Sequence, residues 1–290
     1  MVEFFYGLPI WLATFLVLGL SLAVGLASSF GLRKLLRLQS TEDDREHAVS
    51  LMQVVAAYIG ILIAFAGVQV WQQFTDAENS VHREAAAAAE LYRDLATYGQ
   101  ETMPVRHDLR AYVTSIVNDE WPLLPKGKAS DQTEVALFTL YDDIGKIHPN
   151  DNRDTTIYAG AFTNLNDLVA LRRDRLIHSE SGMPLILWIV GLLGSVLIVA
   201  YAATFKPSRT NVMMISGISL ALGLVFLFIL IVDRPYMGEF SVSSGELTHL
   251  SSKFDLLDRL SSRAPPPSRA SSANSRPASM ADPAAPPLRR

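Results

Sequence analysis

The chain has 290 residues, of which 49% are hydrophobic, only 19% are charged and none is cysteine. Four stretches, 4–32, 48–75, 181–205 and 210–232, contain no Asp, Glu, Lys, Arg or His and together hold 105 residues. This excludes an ordinary soluble enzyme, a disulfide-rich secreted module and a disordered chain. Without cysteine there is no thiolate nucleophile, Cys-ligated zinc or iron–sulfur cluster.

A helix rises about 1.5 Å per residue, so about 20 apolar residues cross a hydrocarbon core about 30 Å thick. The expected spans are Leu8–Ala27, Leu51–Val70, Pro184–Thr204 and Val212–Val232, with Trp11, Trp71, Trp188 and Tyr236 near their ends, where aromatic rings favour the headgroup layer. The region before the first span holds Glu3 and no Lys or Arg, and the apolar run is too long for a signal peptide, so it reads as an uncleaved helix. The spans carry small residues at four-residue spacing: Ser21/Gly25/Ser29, Ala56/Gly60/Ala64, Gly191/Ser195 and Ser219/Gly223. Helices in lipid associate through close backbone approach, so these stripes are candidate packing seams within a bundle or between subunits; small residues are also simply common in spans. The absence of ionisable side chains from the spans argues against a proton relay or an ion-coupled pump. It leaves open a pore gated by an apolar constriction.

Residues 76–182 read as a helical extramembrane bundle, with no strand alternation. Segment 74–98 continues span two through the alanine run Glu84–Glu90. Pro104 opens a second helix bearing Leu109, Val113, Ile116 and Val117, which Pro122, Pro125 and Gly127 are expected to break. Ser130 or Asp131 caps a third, ended by His148-Pro149-Asn150, and the fourth runs from about Asp154 to Ile177. The outer two are expected to extend spans two and three out of the membrane. Beyond span four, in 236–262, Ser243 and Glu246 fit a capping box. Leu247, Leu250, Phe254, Leu257 and Leu260 then make an amphipathic stripe that should dock on the bundle or lie at the membrane interface. Residues 263–290 hold seven prolines and five arginines and read as a disordered tail.

Segment 76–180 carries 18 acidic residues against 11 Lys and Arg, a net of −7, which makes a nucleic-acid partner improbable. Four spans place the insert and both termini on one side. Arg33, Lys34, Arg37, Arg45, Lys206 and Arg209 lie opposite, and by the first-helix charge rule the insert would be outside the cytoplasm.

Among local motifs, Arg172-Arg173-Asp174-Arg175 lies before span three. It reads either as a basic ring at the mouth of an oligomeric pore or as an anchor to phospholipid headgroups. Asp119-Glu120-Trp121-Pro122 reads as an end-of-helix packing motif rather than an acid/base pair. Glu78 and His82 share a helix face without a third metal ligand nearby in sequence, and Asp233-Arg234-Pro235 reads as a charged stop. No nucleotide-binding or hydrolase fingerprint is present, and no enzyme activity, metal or cofactor is expected.

The order of these motifs resembles the bestrophin-like domain family of mainly bacterial integral membrane proteins. The resemblance rests on Tyr58-Ile-Gly-Ile-Leu-Ile-Ala-Phe65 with Trp71, Glu84-Ala, Leu91-Tyr-Arg93 and Asp119-Glu-Trp-Pro122. It continues through Leu165-Asn166, Arg172 to Leu176, Gly182-Met-Pro-Leu-Ile-Leu-Trp188 and Asp233-Arg-Pro-Tyr-Met-Gly238, covering roughly residues 5–260. It implies an all-α inner-membrane protein, embedded in the lipid bilayer, that forms a homo-oligomeric ion channel for a small inorganic ion, an anion if the likeness to bestrophin anion channels extends to selectivity. The −7 insert is a poor anion vestibule. The expectation from a different class is a membrane sensor or scaffold acting through a partner.

Overall fold

A computed structural model describes residues 6–36, 42–201 and 208–263. The described residues form helices and turns with no strand: α1 (Ile10–Leu36), α2 (Glu42–Tyr98), α3 (Met103–Ser115), α4 (Asp131–Gly145), α5 (Asn152–Glu180), α6 (Leu185–Tyr201), α7 (Arg209–Val232) and α8 (Gly245–Arg263). Four helical stretches are long and apolar enough to cross a membrane. In hydrocarbon a backbone must satisfy its own polar groups, which is why each apolar run is helical. The C-terminal end of span three, from residue 202, and the tail from 264 lie outside the described residues, as do the side chains of Ser29, Arg33, Lys34, Arg37, Arg45 and Lys206.

α2 is the spine. Its 57 residues span about 86 Å, crossing the membrane and continuing unbroken into the bundle. It stops at Gly99, whose φ of 147° only glycine adopts readily, and the Leu95 carbonyl accepts both the Gly99 amide at 3.4 Å and the Thr102 hydroxyl at 2.5 Å.

The expected break at Pro122 does not occur there. After α3 the chain keeps winding, as one π turn over Ile116–Glu120 and 3-10 turns over Trp121–Lys126, and ends at left-handed Gly127. Pro122 falls where the π turn gives way to the 3-10 turns, in the first turn of the 3-10 stretch. Ser130 then caps α4 by accepting from the Thr133 amide, and Asp151 caps α5 by accepting from the Asp154 amide at 2.7 Å.

α5 does not run straight into span three. Ser181-Gly-Met-Pro184 interrupts it, and the turn is clamped by the chain leaving span four. The Asp233 carboxylate accepts from the Met183 amide at 2.5 Å, and Arg234 donates to the Glu180 and Ser181 carbonyls at 3.3 and 3.2 Å. The Asp233-Arg234 stop thus also seals the end of α5.

α8 docks on the bundle, burying Leu247, Leu250 and Phe254 completely. The Ser243/Glu246 capping box does not form. Ser243 accepts from the Gly245 amide at 3.1 Å, and Glu246 turns toward His82 and Lys253 at 3.9 and 3.8 Å. A polar cluster adds to this apolar docking: Asp258 accepts from buried Arg106 at 2.7 Å, Arg110 at 2.9 Å and the Tyr92 hydroxyl at 2.6 Å, while Phe254 stacks on Tyr92. Removing that charge in Asp258→Asn is expected to weaken α8 docking by about 1 kcal/mol, because Asp258 is part-exposed and the pairs are screened. Hydrogen exchange of α8 amides reads this as faster local opening without a matching change in α5.

Candidate functional site

The alanine run of α2 lets α5 approach closely, and an ionic core fills the interior between them. Arg172 and Arg175 sit three apart on α5 and so share a face. Arg175 grips Glu84 of α2 with two nitrogens, at 2.6 and 3.1 Å, and reaches Glu120 at 2.8 Å. Arg172 binds the same Glu120 at 2.6 and 3.2 Å and pairs with Glu134 of α4. Glu84, Glu120 and Arg175 are fully buried. The π turn aims Glu120 inward, and the Ser130 amide donates to it at 3.2 Å. The Trp121 ring lies 5.6 Å from the Arg175 guanidinium.

Burial alone would raise the Glu120 pKa, but hydrogen bonds from Arg172 and the charge of Arg175 hold it below the ordinary carboxylate value. The same carboxylates raise both arginine pKa values against the pull of burial. Burial pushes the Tyr112 phenol well up, so it remains a neutral donor. The Tyr112 hydroxyl and the Arg175 Nη1 are buried without a protein hydrogen-bond partner. The network joins α2, the π turn, α4 and α5 through charge. It offers no open acid/base pair.

This geometry corrects the reading of the arginine trio. Arg172 and Arg175 face neither lipid nor water, because their charges are spent on Glu84, Glu120 and Glu134; only Arg173 is exposed. Glu78 and His82 are both exposed, and among the described residues no group of three His, Asp or Glu could hold a metal.

Two of the small-residue stripes meet. Ser21 and Gly25 of α1 face Ser219 and Gly223 of α7 reciprocally: the Ser21 hydroxyl donates to the Ser219 carbonyl at 2.5 Å, and a Cβ on Gly223 would lie 2.9 Å from that of Ser21. Gly191 lies against Phe226, and Ser195 donates back to the Gly191 carbonyl. Gly194, which the four-residue spacing does not mark, fits against Ile59 of α2. The remaining stripe behaves differently. Ala56 is half-buried, Gly60 and Ala64 are exposed, and a Cβ on Gly60 would meet nothing within 4 Å.

That stripe borders an outward face running the length of α2. Ile59, Ile63, Ala66 and Val70 point into the protomer. Tyr58, Ile61, Phe65 and Val68 point out, and the same helical line continues through exposed Gln72, Asp76, Asn79, Arg83 and Glu90. It changes from bulky apolar to polar where the span ends.

A family model described as the bestrophin-like domain matches residues 19–247. The chain belongs to the bestrophin-like domain family. Solved structures of a bacterial bestrophin homologue from Klebsiella pneumoniae share the fold. One variant of that protein gives a TM-score of 0.64 at 13% identity, covering 84% of this chain and 98% of the other. A second variant gives 0.62 at 14% identity, covering 88% and 98%. The structure of that homologue solved by Zn-SAD phasing gives 0.62 at 13%, covering 86% and 99%. No curated protein matches the sequence. Family and apolar helices together make this an integral membrane protein with a bestrophin-like fold.

Proposed function

We propose that copies of this bestrophin-like chain close into a homo-oligomer in a bacterial inner membrane and conduct small inorganic ions along a path lined by α2. The observation that carries the reading is the unbroken outward face of α2. α2 is the only described helix to span the membrane and enter the bundle without interruption, so a path along it crosses both layers. Its apolar rungs, Tyr58, Ile61, Phe65 and Val68, suit a constriction that gates by dewetting, and the polar rungs beyond suit a hydrated vestibule. Charge-free spans fit passive conduction better than coupled transport. The exposed Gly60/Ala64 edge offers neighbouring copies a surface that allows close approach. In this reading the transmembrane helices, the bundle of 76–182 and the 236–262 helix are parts of one conducting unit, and its role is not catalytic.

Purified protein in liposomes is expected to release trapped salt faster than protein-free vesicles, and Phe65→Ala to raise that flux severalfold by opening the apolar constriction. Wild-type flux equal to that of empty vesicles contradicts the reading and favours a sensor or scaffold.

A further inference from the structure

The path favours cations, and Asp76 sets that preference: this we infer from where the charges of the chain are spent, an inference that rests on the α2-lined pathway. Along the outward face of α2 no charge occurs from Tyr58 through Gln72, and Asp76 is the first, about 12 Å beyond Val68 by helical rise. Asp76 is exposed and, among the described residues, makes no hydrogen bond or ion pair. Repeated by rotation, it is a ring of carboxylates at the first hydrated rung beyond the constriction, the arrangement that concentrates cations and repels anions.

The next charge on this face is Arg83, seven residues further, about 10 Å away and more than a Debye length of about 8 Å. Its opposing field at the constriction is therefore weaker than that of Asp76. The rest of the bundle does not reverse the sign. Segment 76–180 is net −7, and four of its arginines are committed to carboxylates: Arg172 and Arg175 to Glu84 and Glu120, Arg106 and Arg110 to Asp258, which leaves Arg83 as the one cation on this face from Tyr58 to Glu90. On this face Glu90 and Asp76 outnumber Arg83, and Asp76 stands nearest the constriction.

Reversal potentials of reconstituted protein in planar bilayers under a KCl gradient test this. Wild type is expected to pass potassium over chloride by a factor above about 5. Asp76→Asn should cut the ratio at least about threefold with current retained, and Asp76→Lys should take it below about 1. A wild-type preference for chloride, or a ratio unmoved in Asp76→Asn while current persists, overturns the inference and leaves the channel standing. No current from wild type overturns both. Because Asp76 is exposed and unpaired, unchanged elution of the variants on size exclusion confirms that assembly is intact.

Discussion

Arg175→Ala is expected to lower the stability of the detergent-solubilised protein by about 3–5 kcal/mol, enough to leave much of it unfolded. The variant removes both hydrogen bonds to buried Glu84, at 2.6 and 3.1 Å, and one of those to Glu120, which keeps Arg172 and the Ser130 amide; the charge of Glu84 is left uncompensated in a closed site. The penalty is the desolvated charge left behind, so it should fall if that charge goes too: Arg175→Met with Glu84→Gln is expected to recover a large part of the loss. Arg173→Ala, two residues away and exposed, should stay within about 0.5 kcal/mol of wild type. Thermal unfolding midpoints of the four proteins decide it. Equal midpoints for Arg175→Ala and Arg173→Ala contradict the ionic core.

The same core predicts acid sensitivity. Glu120 is held below its ordinary pKa, so the unfolded chain takes up that proton more readily than the folded one. Its contribution is complete above the ordinary carboxylate range and drains as pH falls through the lower folded value. Glu120→Gln should flatten that part of the stability profile, at a cost in stability at neutral pH.

The second large effect is Gly25→Ala in the seam between α1 and α7. A Cβ there would lie 2.9 Å from the Ser219 Cβ, closer than carbon atoms pack, and Ser219 is itself held in the seam. The two spans must separate, at a cost of about 1–3 kcal/mol. Gly19→Ala, where nothing lies within 4 Å, should cost far less. Gly25→Ala combined with Ser219→Gly should recover most of the loss, because the pair exchanges which helix carries the bulk. If the double variant is no better than Gly25→Ala alone, the two helices do not meet at these residues.

The four spans were legible because charge-free runs of 23 residues or more admit little else in a chain of this composition. The bundle helices were legible from period and caps: Ser130 and the stripe Leu247, Leu250, Phe254 lie where local chemistry put them. The ionic core was not. Arg172 and Arg175 look like any basic cluster beside a span. Only the tertiary approach of α5 to an alanine-lined α2 turns them inward, and a π turn swings Glu120 to meet them. A faint signal existed in Glu84 opening a run of five alanines, where a lone carboxylate on a close-packed face needs a partner. The start of α8 was not legible either: the helix begins at Gly245, so Ser243 stands two residues before it and Glu246 turns toward His82 and, along its own helix, Lys253.

A ring of copies around an α2-lined path has a definite mass, which light scattering of the detergent-solubilised particle measures once the detergent is subtracted. A single species of several chains, enough to enclose a path, is expected. A particle of one or two chains encloses none, and would contradict it.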